Sequence, residues 1–146
     1  MNGGTFQKVG QSEQRLYGPR AMLVCGFALS EQEAFADMLA RQGLADVAVI
    51  AAAAAEENER LGDLLARPDR SGRGAAPGAA RAVIMAGITE QELHQTLSAY
   101  RELGLARPLW ATLTPHSENW TLAELLAELA EEHRAMEKKS ARTSQK

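Results

Sequence analysis

Two stretches of this sequence repeat one pattern, and that pattern decides the predicted fold. The first is GLADVAVIAAAAAEENERLGDLLAR, residues 43–67, and the second is GLARPLWATLTPHSENWTLAELLAE, residues 104–128. They align at a constant offset of 61 residues, and nine of the 25 aligned positions are identical. Chance alone would give about one or two identities, so we infer an internal duplication.

The duplicated pattern also extends upstream of both stretches. MLVCGF and AVIMAG are short apolar runs that contain or end at a glycine, as expected for strands buried on both faces. Ser30 and Thr89 follow as predicted helix N-caps, and Glu33 and Glu92 three residues later complete capping boxes. This upstream alignment requires two gaps of two residues.

Each copy is therefore predicted to have the order β-α-β-α. The helices that follow the first strands carry apolar stripes at helical spacing, namely Ala34, Phe35, Met38 and Leu39 in the first copy and Leu93, Leu97 and Tyr100 in the second. Strands that alternate with helices favour right-handed crossovers in a largely parallel sheet. We predict an α/β fold in which two tandem βαβα repeats form one four-stranded sheet covered by helices, with a pseudo-twofold between the halves. The alternative is a split βαβ, ferredoxin-like arrangement with antiparallel neighbours.

The composition predicts a single globular domain with less ordered ends. The hydrophobic fraction is 45% and the charged fraction is 24%, which are ordinary globular values. The predicted boundaries are a disordered N-terminal segment 1–21, a first repeat 22–67, a flexible Gly/Ala/Pro/Arg linker 68–81, a second repeat 82–137, and a disordered basic tail 138–146.

Charge and hydropathy bear on the class of partner and on the compartment. A net charge of −3 gives no general reason to expect nucleic acid or an anionic membrane as a partner. Residues 1–20 lack the apolar core of a signal peptide, and the apolar run 47–55 is too short to span a membrane. We therefore expect a cytoplasmic protein that does not bind a membrane.

The second copy resembles a known bacterial family. The segment ATLTPHSENWTLAELL and the strand–helix entry GITEQEL resemble the domain-of-unknown-function family numbered 3783. The resemblance covers about a third of the chain, with the first copy as the upstream partner. It agrees with the predicted fold, and it implies no known activity, ligand, cofactor or catalytic residue.

The densest group of polar residues lies between the last strand and the last helix. Part of it is explained as the start of that helix, because Thr121 and Glu124 form a capping box and Trp120 and Leu125 form a hydrophobic staple. Pro115 is explained as a strand terminator.

The other residues of this loop are candidates for contact with a ligand. The first copy has Ala53, Ala54, Ala55 and Glu56 at the matching positions, which suggests that a simple connection does not need these polar groups. Ligands of open α/β sheets lie beyond the carboxyl ends of strands, and a helix start there would favour an anion. The predicted ligand-binding residues are Thr114, His116, Ser117, Glu118, Asn119 and Gly87. If the sheet were parallel, four loops would converge at these strand ends. They are the loops after Gly26, Ile50, Gly87 and Leu113.

The remaining chemistry-bearing residues favour structural interpretations. His94 replaces Phe35 and is expected at the border of the apolar face, while His133 is expected near the end of the last helix. Their spacing does not predict a metal site. Cys25 is interpreted as a buried small hydrophobe, with a reactive thiol near the first helix as the alternative.

The sequence thus leaves three classes of function. The leading hypothesis is a non-enzymatic interaction or assembly module that binds a second copy or another protein, without a cofactor. The alternative is a small-ligand or anion-binding domain that uses residues 114–119. An enzyme comes last, because His116 and Ser117 are sequence neighbours that seldom point at one another, and no known catalytic motif is present.

Overall fold

A computed structural model describes residues 14–72 and 80–144 of the chain. Within these residues, strands and α-helices alternate. Their bounds are β1 Ala21–Cys25, α1 Leu29–Arg41, β2 Ala48–Ala52, α2 Leu61–Leu65, β3 Ala82–Ala86, α3 Glu90–Arg101, β4 Leu109–Thr112 and α4 Leu122–Ser144, with a short 3₁₀ turn, Ala54–Glu56, before α2.

The strands form one mixed sheet in the order β2-β1-β3-β4. The outer pairs, β1 with β2 and β3 with β4, are parallel, and the central pair of β1 and β3 is antiparallel. The predicted α/β fold with a largely parallel four-stranded sheet is confirmed. The predicted convergence of four loops is wrong, because the central pair is antiparallel. The carboxyl ends of β1 and β2 therefore lie at one end of the strands, and those of β3 and β4 lie at the opposite end.

A pseudo-twofold axis passes through the centre of the sheet. Leu23 pairs with Ile84 in the middle of the β1–β3 ladder. The pairing of β3 with β4 repeats that of β1 with β2, 61 positions later in the chain. The pair of Ala21 and Ala48 corresponds to that of Ala82 and Leu109, and the correspondence continues along the strands as far as Ala51 and Thr112. The two halves therefore correspond position by position, and residues separated by this offset are called counterparts.

The helices cover both faces of the sheet. One face packs against α1 and α3 through Phe35, Met38, Leu39 and Tyr100. The other face packs against α2 and α4 through Leu61, Leu64, Leu65, Leu122, Leu125 and Leu126. Burying each of these large side chains contributes about 1.5–3 kcal/mol. Five of the seven residues in the predicted stripes of α1 and α3 thus belong to this core or pack against it, namely Phe35, Met38, Leu39, Leu93 and Tyr100.

The predicted starts of α3 and α4 are confirmed. The Glu92 N–H donates to Thr89 Oγ1 at 3.0 Å, and the Thr89 N–H donates to the Glu92 carboxylate at 2.9 Å. Thr121 and Glu124 form the same pair of bonds at 2.8 and 3.1 Å. Trp120 packs against the core cluster that contains Leu125, as a hydrophobic staple would.

The predicted capping box of α1 at Ser30 is wrong. The N-cap is Ala28, two residues earlier, and Glu31 accepts its N–H at 2.9 Å. Alanine lacks a capping oxygen, but the Glu31 carboxylate still satisfies one backbone donor of the helix start. With this start, α1 and α3 follow the same offset as the strands and no gap is needed. The counterpart of Phe35 is therefore the buried Thr96, and not His94.

Three stretches outside the two predicted repeats also have described structure. Residues 14–20, placed in the disordered segment, lie against the end of β3, where the Leu16 N–H donates to Ile88 O at 2.7 Å. The start of the predicted linker runs along β2, and α4 continues to Ser144 through part of the predicted tail. The predictions for 1–13, 73–79 and 145–146 lie outside the described residues. Among the helices described, none is long and apolar enough to cross a membrane.

Candidate functional site

Thr114 and Ser117 of the predicted ligand loop hydrogen-bond to each other. Ser117 is buried, and its Oγ accepts the Thr114 N–H at 3.1 Å. The Ser117 N–H donates back to Thr114 Oγ1 at 3.0 Å, and the two hydroxyls are 3.1 Å apart. Both side chains therefore close the turn that follows β4.

The matching turn of the first half satisfies the same backbone group differently. There the Ala53 N–H, the counterpart of the Thr114 N–H, donates to the Glu56 carboxylate at 2.8 Å. Glu56 is the counterpart of Ser117, so both halves have an acceptor at this position. The comparison with alanines in the first half therefore gives no reason to assign Ser117 to a ligand.

Of the remaining loop residues, His116 and Asn119 are exposed and Glu118 is half-buried. The His116 ring is exposed and contacts Trp120 edge-on, with 5.5 Å between ring centroids. Glu118 accepts the Tyr17 hydroxyl at 2.7 Å, and this bond raises the pKa of Tyr17.

Gly87, the last predicted site residue, is buried beneath the segment that leads into β1. Its N–H donates to Tyr17 O at 3.1 Å, and its φ is +67°. A Cβ at this position would approach the Pro19 carbonyl carbon within 2.5 Å. Tyr17 thus links Gly87 to Glu118, so the two predicted site regions share one neighbour.

The start of α4 has its first backbone donors engaged. The Leu122 N–H donates to Glu59 O at 3.0 Å, and the Ala123 N–H donates to Glu57 O at 2.8 Å. The Glu124 N–H is capped by Thr121. These are the donors that would hold an anion at a helix start. The ligand-binding role of the loop stays a prediction.

The histidines and the cysteine lie apart from this loop, except for His116. His94 and His133 are exposed, and His133 Nε2 lies 3.2 Å from a Glu137 oxygen one turn along α4, which continues well past it. The described residues hold no group of three or more His, Cys, Asp or Glu suited to a metal ion. Cys25 is fully buried, and burial raises its thiol pKa to about 12, as expected for a core residue.

The outer edge of β4 has unpaired backbone groups among the described residues. Leu109 and Leu113 donate their N–H groups to β3, at 3.0 Å to Arg81 O and 2.9 Å to Met85 O. Because backbone groups alternate in direction along a strand, those of Trp110 and Thr112 point away from β3. Neither residue has a backbone hydrogen bond on the outer side within 14–72 and 80–144.

The other edge of the sheet, at β2, is covered by the chain itself. The Val49 N–H donates to Asp69 Oδ1 at 2.8 Å, and Val49 O accepts the Arg70 N–H at 2.8 Å. The Ala51 N–H donates to Ser71 O at 2.9 Å. We call Asp69, Arg70 and Ser71 the β2 cover. Val49 and Ala51 are the counterparts of Trp110 and Thr112, so equivalent positions are covered in one half and open in the other.

Sequence differences after the second helix explain this contrast. Pro68 prevents α2 from continuing, and Gly72 adopts a φ of +73° where a Cβ would collide with Ala51 O. Their counterparts in the second half are Leu129 and His133, which lie within α4. The second half therefore continues as a helix, and its described residues supply no segment that covers β4.

A groove runs beside the open edge, between α3 and β4. It encloses about 420 Å³ and is lined by Leu97, Tyr100, Arg101, Leu105, Arg107 and Trp110, which we call the β4 groove. The Tyr100 and Trp110 rings meet edge-on with 5.4 Å between centroids. Arg101 and Arg107 are exposed, and neither forms an ion pair with any described residue.

The first half has a counterpart of this groove that is nearly filled. Its wall consists of Ala36, Leu39, Ala40, Leu44 and Val49, the counterparts of five β4-groove residues. Asp69 and Arg70 of the β2 cover lie against this wall and leave only about 50 Å³. The β2 cover thus occupies in the first half the space that is open in the second.

The sequence did not direct attention to the β4 groove. Its residues are apolar or basic and form no motif, so a search for catalytic or metal-binding spacing passes over them. One sequence feature could have revealed the open edge. The first half has Pro68 and Gly72 where the second half has Leu129 and His133, which predicts that the two halves diverge after the second helix.

Comparison with known proteins identifies only the second half. No curated protein and no solved structure matches the chain. Residues 81–136, from the start of β3 into α4, match the family model described as Domain of unknown function (DUF3783), which confirms the resemblance seen in the sequence.

Proposed function

We propose that this protein is an interaction module that binds an extended segment of another protein along the outer edge of β4. The observation that carries the proposal is the contrast between the sheet edges, because Val49 and Ala51 are paired, whereas their counterparts Trp110 and Thr112 have no outward backbone partner among the described residues. An edge strand with free N–H and C=O groups is a template for strand addition. A non-enzymatic role is part of this proposal.

The surroundings of β4 support a specific site rather than an aggregation-prone edge. The strand has four residues, and Pro108 precedes it, so a second chain can pair over only a short length. Trp110 lines the adjacent groove and can contact side chains of the added strand. Backbone pairing would supply affinity, and the groove would supply selectivity.

Selection from a random peptide library on the immobilised full chain tests the proposal. Thr112→Pro removes an outward N–H while preserving the inward bonds of β4, and it should abolish capture of the selected peptides. Glu90→Pro is the matched control, because proline is tolerated at the first position of α3. Peptides that bind the Thr112→Pro protein as tightly as the original would contradict the proposal, provided that its thermal unfolding remains cooperative.

A further inference from the structure

We infer, on the basis of the proposed function, that the segment bound at β4 is acidic and carries an apolar side chain for the β4 groove. Two features indicate the chemistry of the bound segment. They are the β2 cover, which provides an internal template, and the charges that distinguish the two grooves.

The β2 cover shows how an extended segment fits this kind of edge. Its residue numbers increase in the same direction as those of β2. Val49 donates to Asp69 Oδ1 and accepts from the Arg70 N–H, and Ala51, two residues later, donates to Ser71 O. One of its acceptors is a carboxylate oxygen, Asp69 Oδ1, which receives a backbone N–H. A segment with acidic residues can therefore satisfy an edge of this geometry.

The charges of the β4 groove favour an acidic segment more strongly than the β2 cover does. Arg101 and Arg107 replace Ala40 and Asp46 of the first half. Asp46 pairs with Arg20 at 2.7 Å, whereas both β4-groove arginines lack a carboxylate partner among the described residues. Carboxylates of a bound segment would pair with these guanidinium groups, and arginine suits two-pronged carboxylate binding.

The apolar part of the groove calls for one inserted side chain. Leu97, Leu105 and the edge-on pair of Tyr100 and Trp110 form its walls. In the first half the wall residues are smaller, and the β2 cover occupies most of the corresponding space. A strand with an acidic, an apolar and an acidic residue at every second position would place all three side chains on the groove face.

The same charges disfavour a second copy of this chain as the occupant. The antiparallel pair of β1 and β3 places α1 and α3 on the same face of the sheet. Antiparallel pairing of two β4 strands would likewise bring two grooves together, with four arginines close to one another. Like charges at an interface oppose association.

Fluorescence anisotropy with three labelled, capped octapeptides tests the inference on the full chain. Each peptide has valine at its fourth position, glutamate, serine or lysine at its second and sixth positions, and threonine elsewhere, so that the valine and the varied side chains share one face. We expect the valine–glutamate peptide to bind roughly fivefold or more tightly than the valine–serine peptide at low salt, and the valine–lysine peptide to bind most weakly. Raising the salt to about 0.5 M should reduce this preference, because the pairs are exposed.

Charge-reversal variants locate the preference. The double variant Arg101→Glu/Arg107→Glu should invert the order of the glutamate and lysine peptides. Arg41→Glu is the matched control, since Arg41 also lies in the last turn of its helix but outside the β4 groove, and it should leave the order unchanged. An order that the double variant does not alter would overturn the inference.

The remaining outcomes separate this inference from the proposed function. Equal binding of the glutamate and serine peptides, lost with Thr112→Pro, would overturn the acidic partner and leave strand addition supported. Failure of all three peptides to bind would overturn both. Dimerisation in sedimentation analysis that Thr112→Pro abolishes would identify a second copy as the occupant and overturn the acidic segment.

Discussion

Arg20 and Glu92 form a bidentate ion pair that joins the two halves of the domain. Arg20 Nη1 and Nη2 donate to the two Glu92 carboxylate oxygens at 2.7 and 2.8 Å. Their counterparts repeat the pair on the other side of the pseudo-twofold, where Arg81 binds Glu31 at 3.0 and 3.3 Å. Each arginine precedes a central strand, and each glutamate lies in the first turn of a helix of the opposite half.

Replacing Arg81 with alanine should destabilise the fold by about 2–3 kcal/mol. Besides Glu31, its guanidinium binds the carbonyl oxygens of Gly26 and Ala106 and lies 4.1 Å from the centre of the Phe27 ring. Arg134→Ala removes only an exposed contact at 3.4 Å and should change stability by less than about 0.5 kcal/mol. Urea unfolding measures the stability of both variants. Equal unfolding midpoints for Arg81→Ala and Arg134→Ala would show that the Arg81 pair does not stabilise the domain.

Acid should weaken the fold through the two glutamates of these pairs. Hydrogen bonds from Arg20 and Arg81 lower the pKa values of Glu92 and Glu31 below the usual 4.5. A carboxyl with a lowered folded-state pKa contributes stability that is fully present above the unfolded pKa and is lost as the pH falls through the folded pKa.

The free energy of unfolding should therefore decrease with falling pH below about 4.5. Glu92→Gln should be less stable than the original at pH 7 and should lose less stability between pH 5 and pH 3. Chemical unfolding at a series of pH values measures this, and parallel pH curves for the two proteins would contradict the assignment.

Ser117→Ala should cost about 1 kcal/mol, because it removes the acceptor of the Thr114 N–H. His116→Ala loses only an exposed ring contact and should cost about 0.5 kcal/mol. Differential scanning calorimetry compares them. If His116→Ala lost as much stability as Ser117→Ala, the imidazole would be a structural element of the turn.

The predicted ligand role of the loop can be tested with the same His116→Ala protein. If phosphates, nucleotides or small acids bind there, they should raise the melting temperature of the original protein and not of the variant. Equal shifts in both proteins would place the binding elsewhere, and the absence of any shift would count against the loop as a site.

The β2 cover should depend on Gly72. Gly72→Ala puts a Cβ against Ala51 O at a φ of +73° and should cost about 1–3 kcal/mol. Gly43→Ala is the control, since Gly43 has a φ of +80° and open space around its Cβ position. The Val49 and Ala51 amides should lose protection from hydrogen exchange only in Gly72→Ala; unchanged protection would show that the cover tolerates the methyl group.

Much of the fold followed from local sequence signals. Apolar runs and two capping boxes, at Thr89 and Thr121, predicted elements that the structure contains. Ser30 misled because a serine followed by Glu33 has the pattern of a capping box, while the observed start at Ala28 uses a carboxylate that also binds Arg81. That ion pair joins distant parts of the chain, so no local pattern predicts it.

Strand direction and edge coverage were harder to predict. Alternation of strands and helices does not determine how two βαβ units join, and the central pair is antiparallel. The open edge at Trp110 becomes evident only when it is compared with its covered counterpart Val49. The contrast between the two sheet edges is therefore a property of the tertiary structure, and the sequence of either half alone does not predict it.

Hydrogen exchange resolved at single amides tests the central claim most directly. In the full chain without a partner, we predict fast exchange for Trp110 and Thr112, and slow exchange for their counterparts Val49 and Ala51. Addition of a peptide selected on the original protein should slow Trp110 and Thr112 selectively. Protection of these two amides in the monomer before any peptide is added would contradict an open β4 edge and the interaction proposed for it.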